Sequence, residues 1–220
     1  MSMSGGQYPA PRATPGVVQR QVTAGAAARF MFGWVVLLWV IEAVDVLSGN
    51  LLDNFAIHAR DPQGLAFIFT APLLHFGWQH LISNTVPFFV LGWFVYISGR
   101  AQWWVTTLLV VVVSGLFAWA FTPAGAYVAG ASGLIFGWFA YLVVRGIWTR
   151  DWRQILIAVG LVAVYGGMIW GVLPTDSGVS WQAHLGGVVG GVVAAAVIGR
   201  RGMSTVGGRP GREVTARRVG

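Results

Sequence analysis

The sequence predicts an all-α membrane protein, a bundle of six transmembrane helices with both termini cytoplasmic. Three observations carry this. Of 220 residues, 56% are apolar and only 10% are charged, where an ordinary soluble domain is about a quarter charged. The apolar residues form six runs, each of the roughly 18–20 residues a helix needs to cross about 30 Å of hydrocarbon. The basic residues, all 14 of them Arg, sit at the edges of those runs or beyond them. Disorder is excluded over the same stretches, because it requires low hydrophobicity.

Taken in order, residues 1–29 are polar and carry Gly, Pro and Arg, which predicts a disordered tail. The six expected spans lie near 30–49, 78–97, 103–121, 129–148, 154–173 and 182–199, and residues 200–220 form an Arg-rich second tail. The first run is too long for a signal-peptide core and carries Glu42 and Asp45, so it is expected to be retained. Those two carboxylates are expected to make helix-to-loop hydrogen bonds near the outer end. The connection 50–77 is long, and its segment Leu65–Leu74 is apolar but too short to span. Such a segment is expected to press sideways into the outer leaflet. Pro87 removes the backbone bond to Ser83 and reads equally as a bend in run two or as a tolerated kink. Gly160, Gly166, Gly167 and Gly171 make run five loosely packed, and substrates of the membrane are expected to pass beside it.

Orientation follows from the Arg. With six spans, 13 of the 14 Arg fall on one side and Arg60 alone on the other. Positive charge stays cytoplasmic, so both tails face the cytoplasm, in the plasma or inner membrane of the cell. The net charge of +7 does not indicate nucleic acid, because the Arg do not interleave with aromatics on a polar segment. The absence of Cys excludes disulfides, thiolate catalysis and Cys-ligated zinc, and no HExxH pattern occurs. No metal or cofactor is expected, and the lipid bilayer is the one certain partner. A transporter would place ionisable groups at mid-depth; here they cluster at one edge, with no inverted repeat.

Runs two, four and six all travel inward, so their first turns share one depth near the outer face. Run two opens with His80 and Asn84, four residues apart and so on one helix face; run four opens with Ser132, and run six with His184. Each has a plainer reading. A membrane Ser commonly bonds back to a carbonyl one turn earlier, and a lone His near a span end is commonly interfacial. Asn84 is harder to dismiss, since its amide needs partners in hydrocarbon. Gly133 with Gly137, and Gly187 with Gly191, form small-xxx-small pairs on runs four and six, shadowed by Gly186 and Gly190. Such pairs let backbones approach, which would draw Ser132 to His184; simple helix packing is the alternative.

Together these residues resemble a known family. Gly130-Ala131-Ser132-Gly133 is similar to the GxSG motif of the rhomboid intramembrane proteases. Ala183-His184 followed by Gly187 and Gly191 resembles the family's AHxxGxxxG, and His75…His80…Asn84 resembles its HxxxxHxxxN. The resemblance covers about residues 30–199.

The resemblance implies a serine endopeptidase with Ser132 as nucleophile and His184 as general base. The oxyanion would be held by the Ser132 backbone N–H and the side chains of His80 and Asn84. Gly130, Gly133, Gly187 and Gly191 would support the site. Phe136 stands where the family usually has a Tyr beneath the His; it can pack on that ring but offers no hydroxyl. Ala66-Phe67 replace a Trp-Arg pair that many members carry, and Ala71 stands where some have another His. His75 and Gln79 read as wetting the cavity or as simply interfacial, and Asp176 reads as a solvent-exposed carboxylate or as a third member orienting His184. Partners would be single-span membrane proteins, cut near their outer end at small residues close to helix breakers. A silent rhomboid-like protein that escorts client helices is the alternative, although such relatives typically lack the Ser or the His. None of these residues specifies an oligomeric state.

Overall fold

The structure, a computed structural model, describes residues 22–149, 151–174 and 178–206. Its helices are α1 (Ala24–Leu47), α2 (Trp78–Ser98), α3 (Arg100–Phe121), α4 (Ser132–Thr149), α5 (Trp152–Tyr165) and α6 (Trp181–Val206). Among the described residues, five are long and apolar enough to cross a membrane: α1, α2, α3, α6, and α5 taken with its continuation to Val172. The chain is a multi-pass membrane protein.

Several boundaries differ from expectation. The tail expected over 1–29 gives way to α1 at Ala24, because Thr23 caps the helix, its hydroxyl accepting from the Ala26 N–H at 3.2 Å. Trp93 on α2 fastens this first turn by donating its indole N–H to the Ala24 carbonyl. The rest of that tail lies outside the described residues. At the other end α6 runs past residue 200 to Val206, so the second tail begins in helix; residues 207–220 lie outside the described residues. The apolar stretch of α4, Ser132–Trp148, is shorter than the other spans. It is the central helix, with Ile135, Trp138 and Tyr141 almost fully buried, so protein rather than lipid surrounds most of its length. The fifth run is helical only to Tyr165 and continues as a 3-10 turn over Gly166–Val172. Two successive glycines, each roughly 1 kcal/mol worse than Ala in a helix, mark the change. α2 passes through Pro87 without interruption.

The half of the core nearer the start of α1 is aromatic. Phe30 stacks on Tyr96 at 4.1 Å, and Trp103 meets Phe30, Trp34 and Trp138. The opposite half is closed by the first loop. It contains short 3-10 turns and a strand, β1 (Ile57–His58), which pairs antiparallel with β2 (Tyr127–Val128), the segment leading into α4. The loop is tied to α3 by the Arg60 N–H to the Trp119 carbonyl and the Trp119 indole to the Asp61 carbonyl. Phe55, Leu65 and Phe69 are left exposed. The expected helix-to-loop bond is present at Asp45, whose Oδ1 accepts from the Leu52 N–H at 2.7 Å. Glu42 faces the Gly77 backbone and the Asp45 and Asp53 carboxylates. Burial, and then Asp45, push the Asp53 carboxyl above its usual range.

Candidate active site

The site begins with how closely α6 approaches its neighbours. A Cβ on Gly187 would overlap the Gly133 carbonyl, and one on Gly191 would overlap the Gly137 carbonyl; one on Gly137 would lie 2.9 Å from the Gly187 oxygen. The backbones of α4 and α6 therefore touch along the two glycine pairs. The shadowing pair does different work: Gly186 and Gly190 face α3, where a Cβ on Gly186 would lie 2.9 Å from the Ser114 Cα and one on Gly190 3.0 Å from the Val110 Cα. α6 thus lies in a groove between α3 and α4. Ser114 joins α3 to α6 directly, its hydroxyl donating to the Ala183 carbonyl at 2.7 Å.

Ser132 opens α4, and His184 lies one turn into α6, which Ser180 caps by accepting from the Ala183 N–H at 3.2 Å. The crossing brings Ser132 Oγ to 2.8 Å from His184 Nε2. On the other side of the ring, His184 Nδ1 lies 2.8 Å from the Gly171 carbonyl oxygen. A carbonyl can only accept, so Nδ1 carries the proton. The neutral ring then presents an unprotonated Nε2, and the Ser132 hydroxyl donates to it. Phe136, one turn after Ser132, stacks on the imidazole at 4.1 Å with 9° between planes.

The loop before Ser132 is pinned from two sides. Gly130 has φ +121° and a Cβ there would lie 2.6 Å from His80 Cε1, so both conformation and space require glycine. Its N–H donates to the Ala71 carbonyl at 2.9 Å, so position 71 serves through its backbone. Ala131 N–H donates to His75 Nε2 at 3.4 Å, and the His75 and His80 rings meet edge to face at 5.1 Å. A cavity of about 710 Å³ opens in front of this loop, lined among others by Gln79, His80, Asn84, Ser132, Phe136 and His184. Asn84 is buried, and its amide Nδ2 has no hydrogen-bond partner among the described residues. Among the described residues, no group of three His, Asp or Glu is arranged to hold a metal ion.

His75 is the correction at this site. Expected to wet the cavity or to lie at the interface, it is buried at 1% exposure instead, because its ring holds the Ala131 N–H. Gln79 does line the cavity. Asp176 lies outside the described residues. Sequence reasoning missed Ser114 and Gly171 as partners of the array; the available signal for Gly171 was Pro174, three residues later, which lacks an N–H.

Burial, and secondarily His80, push the His75 imidazole down to about 3. Protonating Nε2 would also set two donors against each other at Ala131. The unfolded chain takes up this proton near 6.5 and the folded protein does not until about 3, so stability falls as pH drops below about 6.5. His75→Gln keeps an acceptor at this point without titrating. Thermal unfolding at pH 7.5 and pH 5 is expected to show a smaller loss of Tm in His75→Gln than in the wild type; equal losses would contradict the assignment.

The Rhomboid domain model matches residues 62–201, the stretch that holds His75, His80, Asn84, Ser132, Gly171 and His184. The uncharacterized protein Rv1337 of Mycobacterium tuberculosis is 41% identical over 170 residues, covering 74% of this chain and 71% of that protein. The uncharacterized protein ML1171 of Mycobacterium leprae is 39% identical over 170 residues, covering 74% and 67%. Rhomboid-like protein 11, chloroplastic, of Arabidopsis thaliana is 32% identical over 127 residues, covering 56% of this chain and 44% of that protein. The glycine pairs of α4 and α6 and the loop that carries Ser132 all lie within the matched stretch, and the chain belongs to the rhomboid family.

Proposed function

We propose that this chain is an intramembrane serine endopeptidase that cuts single-span membrane proteins near the outer membrane face. The observation that carries this is the Ser132 Oγ–His184 Nε2 contact of 2.8 Å, with Nδ1 on the Gly171 carbonyl. That arrangement leaves the ring nitrogen facing Ser132 free to take a proton. As Ser132 Oγ attacks the scissile carbonyl carbon, its proton passes to His184 Nε2. Collapse of the tetrahedral intermediate breaks the C–N bond, and His184 returns the proton to the departing amine. Water, deprotonated by His184, then hydrolyses the ester on Ser132 and frees the acid product.

The oxyanion would sit at the N-terminus of α4, where first-turn N–H groups have no intrahelical partner and the helix dipole favours negative charge. His80 and Asn84 line the same cavity, and a buried amide donor without a protein partner is held at a cost of about 1–3 kcal/mol. Asn84→Ala is expected to lower kcat about 10²- to 10³-fold with little change in KM. A change confined to KM in steady-state cleavage of a purified single-span substrate would remove Asn84 from this role.

In this reading α4 crosses the membrane as a sixth span beside the five longer helices, and both termini face the cytoplasm of a plasma or inner membrane, which the Arg distribution supports. The cavity then opens outward, where water reaches it. A substrate peptide bond in an intact helix is shielded, so the helix must unwind to be cut, which favours segments near Gly or Pro. Replacing these breakers by Leu in a model substrate should sharply reduce cleavage; unchanged cleavage would end the unwinding idea.

Fluorophosphonate treatment of purified protein in detergent tests the reading as a whole. An adduct of the phosphonyl group, with loss of fluoride, is expected on the peptide containing Ser132. An unlabelled but folded protein would favour the escort of client helices instead.

A further inference from the structure

α5 contributes more than a wall to the bundle. Its α-helix ends at Tyr165, and the 3-10 turn Gly166–Val172 brings Gly171 to the His184 ring. In such a turn the Gly171 carbonyl would be served by the N–H of residue 174, and residue 174 is Pro, which has none. The carbonyl is left for His184 Nδ1, at 2.8 Å. The α-carbon of Gly171 is equally constrained. A Cβ there would lie 2.8 Å from Phe136 Cζ and 3.3 Å from His184 Nδ1. Phe136 and His184 are themselves stacked at 4.1 Å, so neither ring can yield without disturbing the other.

We propose that Gly171 is a positioning residue for the hydrolysis, its carbonyl selecting the imidazole tautomer and its missing side chain leaving the ring in reach of Ser132. This inference rests on the serine endopeptidase reading. A neutral carbonyl on the end of α5 thereby takes the orienting part that a carboxylate takes in a catalytic triad. It follows that the base is aligned only while the α5 end is seated. That segment packs little against the rest of the protein: 11% of its apolar stretch is buried, against 50% for α6. An outward shift of about 1 Å would stretch the Nδ1 contact beyond hydrogen-bond range.

The test uses the full chain in detergent and two readouts. Second-order rates of fluorophosphonate labelling, and kcat and KM on a single-span substrate, are compared for wild type, Gly171→Ala and Ile169→Ala. Gly171→Ala is expected to slow labelling and kcat alike by about 10- to 100-fold, with KM nearly unchanged. Ile169, an exposed side chain on the same turn, should behave as wild type when changed to Ala. Labelling of Gly171→Ala at the wild-type rate, or an effect on KM alone, would overturn the proposal. Nitrogen-15 NMR of histidine-labelled wild type decides the matter if Gly171→Ala does not fold. The resonance pair missing from His184→Ala should show Nδ1 protonated and Nε2 not, and the reverse tautomer would overturn the proposal. A folded wild type that does not react with the probe would instead defeat the endopeptidase reading, and the NMR result would still report on the Gly171 contact.

Discussion

Ser132→Ala and His184→Ala are each expected to lower kcat for cleavage of a single-span substrate by about 10⁴-fold or more. The size of the effect follows from what each change removes. Without Oγ no acyl-enzyme forms, and without Nε2 the serine hydroxyl must lose its proton to water at neutral pH. The two groups form one hydrogen-bonded unit, Oγ to Nε2 at 2.8 Å, so their effects should not add. The double variant is expected to be no slower than the slower single variant, because residual rate in either comes only from oxyanion stabilisation and binding. The measurement is product formation in liposomes containing enzyme and substrate, quantified by mass spectrometry. A single variant retaining more than about 1% of wild-type turnover would show that the pair is not the reacting dyad. Both variants should remain folded, because the α4–α6 contact runs through backbone atoms of glycine.

Much of this arrangement was legible from residues alone, and the reasons differ by level. The spans could be read because lipid leaves a long apolar helix few alternatives. Their ends could not, because they depend on local bonds: Thr23 starts α1 six residues early, and Gly166-Gly167 turn the end of α5 into a 3-10 turn. The pairing of Ser132 with His184 was legible because the two small-xxx-small faces, on α4 and α6, admit one close crossing, and both faces are used as expected. That Gly186 and Gly190 face a third helix was not read, since spacing alone does not distinguish a second interface from a broader first one. The β1–β2 pair was beyond reach, being two residues long on each side and joining segments far apart in sequence. His75 was misjudged for a related reason. A His next to a span end is ordinarily wet, and only the fold shows that the Ala131 N–H lies against it. Gly171 looked like one of four loosening glycines, and its distinction is the carbonyl it offers.

The largest structural effect is expected at Gly191. In Gly191→Val the new Cβ would overlap the Gly137 carbonyl oxygen and lie 3.0 Å from both the Gly137 carbonyl carbon and the Tyr141 nitrogen. These are backbone atoms of the central helix, so relief requires α4 and α6 to separate. Overpacking of this kind commonly destabilises by about 1–3 kcal/mol, and more where no side chain can yield. At 150–250 residues, each kcal/mol lowers Tm by roughly 2–4 °C, so a fall of about 10 °C is expected in a thermal scan of detergent-solubilised protein. Gly33→Ala is the comparison, since a Cβ at Gly33 meets nothing within 4 Å, and it should not lower Tm but raise it by roughly 2–4 °C through helix propensity alone. The same variant should lose fluorophosphonate labelling, for Gly191 lies on the face that carries His184 two turns away. Spreading that face by a single ångström takes a 2.8 Å contact out of range. A Gly191→Val protein with wild-type Tm and labelling would mean that the helices are held apart by something other than glycine backbones. If both fall together, the helix crossing that stabilises the bundle is also the one that sets the dyad, and stability and reactivity cannot be tuned separately at that face.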